Sequence, residues 1–146
     1  MTAITLQHAT QMVDLGLRRA HELGLKPLTI AVLDAGGHLV AFKREDRSGI
    51  LRPDIACAKA WGALGMGLGS RALAHRAEKA PAFFTALSGV SQGRVVPVPG
   101  GVLVRSADGD VLGAVGISGD MPDNDEACAV YGIEGAGLVA DPGGAS

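Results

Sequence analysis

Residues 28–44 read LTIAVLDAGGHLVAFKR, and the fold follows from this stretch. Residues 28–34 are β-rich and stop at Ala35-Gly36-Gly37, and residues 38–44 alternate more clearly between apolar and polar positions. Two β-prone runs joined by a Gly-Gly turn specify an antiparallel hairpin, because glycine enters the positive-φ region of such a turn without steric cost. Upstream, over residues 4–23, Ile4, Leu6, Ala9, Met12, Val13, Leu15, Leu17, Ala20 and Leu23 recur at helical spacing. Thr2 or Thr5 is placed to cap that helix, Gly24 to end it, and Pro27 to prevent its continuation.

Downstream, Pro53 and Asp54 suit the first turn of a helix running to Gly65 or Met66. Ser70 is expected to cap a short helix over 71–79, and Pro81 to start a further turn through Leu87. Residues 88–100 read as a loop around a short strand, Val95–Val98. GVLVRS at 101–106 and VLGAVGIS at 111–118 read as strands across an Asp108-Gly109 turn. A last helix begins at Asp120, Asp123 or Asn124 and runs through Leu138. The order α-β-β-α-α-β-β-α, with one extra short strand allowed, predicts an α/β (α+β) fold: an antiparallel sheet of about five strands with helices packed on it. Neither an internal repeat nor a linker is visible, so residues 1–146 are read as one domain, with 141–146 as a frayed tail.

Composition narrows the function. The chain has 146 residues, 47% of them hydrophobic, which is enough for one buried core. The net charge of -2 and the lack of a basic run exclude the usual nucleic-acid footprint. The sequence shows neither a signal pattern nor an apolar run of ~18 residues, so it is read as cytoplasmic, with no membrane partner. Cys57 and Cys128 lack C-x-x-C spacing, so free thiols are expected rather than a zinc site.

At 100° per residue, Arg52, Ile55, Lys59, Gly62 and Met66 share one sector of the second helix. Arg52 and Lys59 together suit a carboxylate, the arginine as a planar fork and the lysine as a point charge. Three readings of Lys59 stay open: anion binding, pairing with a carboxylate at a subunit contact, and Schiff-base chemistry. Pro99-Gly100-Gly101 and Gly116-x-Ser118-Gly119 either expose backbone N–H donors to a ligand or are strand starts and bulges. His38, beside the Gly-Gly turn, is either solvated or a proton-transfer group. The acidic cluster Asp120, Asp123, Asn124, Asp125 and Glu126 is read as helix capping, and no metal site is expected. The second helix is apolar nearly all round, so a second copy of the chain is expected to cover it.

Several runs resemble the GlcG/HbpS family. They are Asp34-Ala35-Gly36-Gly37-His38-Leu39-Val40-Ala41-Phe42, Ile55-Ala56-x-x-Lys59-Ala60, Pro99-Gly100-Gly101, and Gly113-Ala114-Val115-Gly116-Ile117-Ser118-Gly119 with Asp125 and Ala129 following. The resemblance covers roughly residues 3–140 and rests on their order. It implies a profilin-like α-β-α arrangement, homo-oligomers from dimers to octamers, haem binding or degradation, and kinship with the C-terminal domain of a cobalamin adenosyltransferase. Trp61-Gly62-Ala63-Leu64-Gly65-Met66 departs from the Thr- and Ala-rich helix usual there. The expectation is a small-ligand-binding protein for haem, another tetrapyrrole or another anionic molecule. Its ligand would be held by Arg52, Lys59, Gly100, Gly101 and Ser118. The alternative is a catabolic isomerase, lyase or hydrolase acting on a carboxylate, with Lys59 or His38 moving the proton.

Overall fold

The hairpin forms as residues 28–44 dictate: β1 (Thr29–Asp34) and β2 (Leu39–Arg44) pair antiparallel, with Thr29 opposite Arg44. The computed structural model describes residues 2–144. Around the hairpin stand α1 (Leu6–Glu22), α2 (Arg52–Met66), α3 (Ser70–Lys79), α4 (Pro81–Val90), β3 (Gly101–Arg105), β4 (Val111–Ser118), α5 (Pro122–Gly135) and β5 (Val139–Asp141). The five strands form one antiparallel sheet in the order β2-β1-β4-β3-β5.

Strand alternation divides the core between the two faces of this sheet. Ile30, Val32, Val102, Val104, Val115 and Ile117 pack with Met12 and Val13 of α1 and Cys128 and Ile133 of α5. The opposite face carries Leu33, Leu103 and Ala114 against Ala60 and Ala63 of α2. The result is the three-layer α+β arrangement expected from the sequence, and its second interface is built from small residues. A Cβ on Gly116 would run into the carbonyl oxygen of Ala56, and one on Gly101 into that of Lys59. Glycine at these positions lets the α2 backbone lie directly on β3 and β4.

Local chemistry explains the element ends. Thr5 Oγ1 accepts from the His8 backbone N–H at 3.0 Å and caps α1, and Gly24 at φ +66° ends it. Ser70 does not cap α3; it is the first helical residue, and its hydroxyl accepts from the Gly101 N–H at 2.7 Å. The expected strand at Val95–Val98 does not form. Pro97 and Pro99 have no N–H for a ladder, and the Val98 N–H turns back to the Val96 carbonyl. The fifth strand comes instead from the C-terminal segment. The last helix stops at Gly135 rather than running through Leu138, and Gly137 at φ +82° turns the chain into β5. Asp141, read as the start of a tail, closes β5 and pairs with Arg105 at 2.9 Å. The Pro142 carbonyl accepts from the Arg71 N–H, and residues 145–146 lie outside the described residues.

Candidate functional site

α2 begins with Arg52, and Lys59 stands two turns further on, both reaching the Ser118 end of β4. Arg52 Nη1 donates to Ser118 Oγ at 3.0 Å, and Ser118 is fully buried. Lys59 lies deeper, its side chain 4% exposed. Its Nζ donates to the Ile117 carbonyl at 2.9 Å and to Asp125 Oδ2 at 3.3 Å. Asp125 Oδ1 accepts the Asp120 N–H at 3.0 Å, so both carboxylate oxygens are engaged. Gly100, at φ +124°, roofs the ammonium, since a Cβ there would stand 2.8 Å from Lys59 Nζ.

The structure thus brings Arg52, Lys59, Gly100, Gly101 and Ser118 together, but it fills the space between them. Lys59 is paired with a carboxylate of its own chain. Gly101 faces the helix backbone. Burial disfavours both charges of the pair: it lowers the Lys59 ammonium below its ordinary value and lifts the Asp125 carboxyl to about 6. Arg52 adds its positive charge to the forces lowering Lys59. Beside Ser118, the Thr29 and Ser48 hydroxyls meet at 2.7 Å, and Arg44 donates to the Ser48 carbonyl. Arg52 is half-buried, and among the described residues no carboxylate lies within 4 Å of it. One of its five N–H donors is used by a side chain.

His38 is elsewhere. Thr29 faces Ser118 at one end of β1, whereas His38 follows the turn at the other end, roughly 17 Å along the strand. Its ring is 79% exposed and lies 3.1 Å from Asp34 Oδ1, which also accepts the His38 and Gly36 N–H groups. The His38 backbone N–H holds the Asp34 carboxyl below its ordinary range. His38 therefore staples the hairpin. The enzymatic alternative finds no support in this geometry, because Lys59 Nζ is sealed and His38 is not beside Arg52.

The acidic residues at the start of α5 each have a protein partner. Glu126 and Asp123 bind Arg71, Asp120 accepts from Lys26, Met121 and Asn124, and Asp125 holds Lys59. Among the described residues, no group of three His, Cys, Asp or Glu side chains converges as a metal site.

The reading from sequence missed a cleft on another side of α2. Asp54, Cys57, Ala58 and Trp61 form one wall, Leu33 and Leu39 of the hairpin a second, and Arg94 the rim, enclosing about 500 Å³. The spacing i, i+3, i+4, i+7 of the α2 residues was visible, but nothing in the sequence brings Arg94 back onto Trp61. Both cysteines are free thiols, and burial raises both above the ordinary thiol range, Cys128 to about 11.

Comparison with known proteins converges on one family. The family model described as haem degrading protein HbpS-like matches residues 4–134. A 15.0 kDa protein encoded in the dhaT-dhaS intergenic region of Citrobacter freundii is 29% identical over 134 residues, 92% of each chain. The corrinoid adenosyltransferase PduO of Citrobacter freundii is 28% identical over 123 residues, which are 84% of this chain but 36% of PduO. The crystal structure of a PduOC haem complex superposes with a TM-score of 0.84 at 26% identity, covering 93% of this chain and 96% of that one. Among the described residues, no helix is long and apolar enough to cross a membrane.

Proposed function

The chain belongs to the HbpS-like family, and from that premise we propose that it binds a small anionic ligand, haem being the first candidate. The observation that carries this reading is Arg52, a half-buried guanidinium whose only side-chain partner among the described residues is the Ser118 hydroxyl. A guanidinium partly withdrawn from water, with no carboxylate partner, offers strong charge-assisted hydrogen bonds to an anion. A ligand carboxylate, such as a haem propionate, would complete the fork that Arg52 offers. Lys59, capped by Gly100, bonds the Ile117 carbonyl next to Ser118 and so supports this end of β4. The PduOC haem complex supports haem as the ligand through its matching fold.

A homo-oligomer is part of the proposal. Ile50 and Leu51 are 93% and 66% exposed immediately before Arg52, and α4 buries none of its residues despite carrying Phe83 and Phe84. A second copy of the chain would cover such apolar surface and could close the ligand site. The free thiols suit a reducing compartment such as the cytoplasm.

The test is a haem titration followed at the Soret band, on wild type and Arg52→Ala. Wild type should show a saturable shift. The variant should bind about tenfold or more weakly, since a charged hydrogen bond is worth about 1.5–3 kcal/mol. An unsaturable wild-type response removes haem as the ligand, and equal affinity in the variant removes the site.

A further inference from the structure

We propose that the cleft beside Trp61 is a separate binding site for a flat, conjugated monocarboxylate. It lies on another side of α2 from Arg52, and the relatives' haem plays no part in the argument for it. Its volume of about 500 Å³ falls within the range of about 300–1,000 Å³ usual for small-molecule sites. Its walls are apolar where Leu33, Ala58 and Trp61 meet.

Recognition centres on Arg94. Its guanidinium carbon sits 3.9 Å from the centroid of the Trp61 ring, and its Nε donates to the Ser91 carbonyl at 2.9 Å. Stacking and that bond fix the plane of the fork. Among the described residues, neither Nη atom donates to a protein group, and no carboxylate lies within 4 Å. The turn that presents Arg94 is strained: Gln92 adopts φ +57° and Gly93 φ +76°, a left-handed conformation uncommon for glutamine. Strain of this kind is retained where it positions a group.

The rest of the cleft selects among anions. Trp61 backs one face of the guanidinium, and the opposite face offers a flat surface onto which a conjugated ring can lie. Asp54 contributes a negative charge to the same cleft, which penalises a dianionic phosphate more than a singly charged carboxylate. The Cys57 thiol stays protonated in this environment and serves as wall rather than nucleophile.

Isothermal titration calorimetry with 2-naphthoate, and with 2-naphthamide as the uncharged control, tests the assignment. Wild type should bind naphthoate saturably at one site per chain and the amide at least tenfold more weakly. Arg94→Gln should weaken naphthoate at least tenfold. The absence of saturable naphthoate binding, equal affinity for the amide, or full affinity in Arg94→Gln would each overturn the proposal. If Arg94→Gln does not fold, the acid–amide comparison on wild type decides. None of these outcomes depends on the haem titration, because Arg52 lies outside the cleft.

Discussion

Replacing Lys59 with methionine probes the contact on which α2, β4 and α5 converge. Methionine keeps most of the side-chain volume, so the change isolates the charge. Lys59 and Asp125 are 4% and 1% exposed, and removing one partner of a buried pair costs about 3–5 kcal/mol. The lower end applies, because Asp125 keeps the Asp120 N–H and its burial-raised pKa lets it take up a proton. A loss of about 3 kcal/mol at pH 7 is therefore expected, a shift of roughly 1.5 M in a urea midpoint for a slope of about 2 kcal/mol/M. The cost should shrink as the pH falls from 7 to 6. Loss of Lys59 removes a charge that holds the Asp125 carboxyl down, so the folded variant takes up a proton there more readily than the wild type or the unfolded chain. The double variant Lys59→Met with Asp125→Leu should recover at least half of the loss. Urea unfolding followed by far-UV circular dichroism at fixed protein concentration measures all three. A cost below about 1 kcal/mol at pH 7, or one that does not change with pH, would refute the assignment of a buried, mutually dependent pair.

Gly116→Ala should cost about 3 kcal/mol by forcing α2 off β4, whereas Gly24→Ala, with open space around it, should cost about 1 kcal/mol from its positive φ alone; thermal melts compare them. The raised folded-state pKa of Asp125 means that its protonated form is favoured in the fold. Its contribution is full below pH 3.8 and is lost as pH rises through about 6, so the pH 4–6 slope of wild-type stability should exceed the fall seen in Asp125→Asn. Iodoacetamide should alkylate Cys57 and Cys128 more slowly than free cysteine at pH 7.5 and at the free rate after unfolding, since burial keeps both thiols protonated; mass spectrometry follows the adducts.

The hairpin was legible because its signal is local: β-rich runs, a Gly-Gly turn, and a pattern of period 2. The capping of α1 by Thr5 and its stop at Gly24 were local as well. Lys59 shows the limit. Its helical sector placed it on the right face with Arg52, but its partner Asp125 is 66 residues away, and no spacing rule reaches that far. The glycines at 101 and 116 invited two readings, and the choice depended on where α2 lands. Val95–Val98 misled because a short apolar run carries β propensity even where prolines deny it a ladder. β5 escaped notice because a strand of three residues has no period of its own. The Trp61 cleft closes only when the turn at Gln92-Gly93 folds Arg94 back, a tertiary event with no local signature.

A crystal structure of the chain grown with haem places the ligand without inference. A propionate within about 3 Å of the Arg52 guanidinium is the expected result. Haem seated anywhere else on the molecule, with Arg52 still bonded to Ser118 alone, would contradict it.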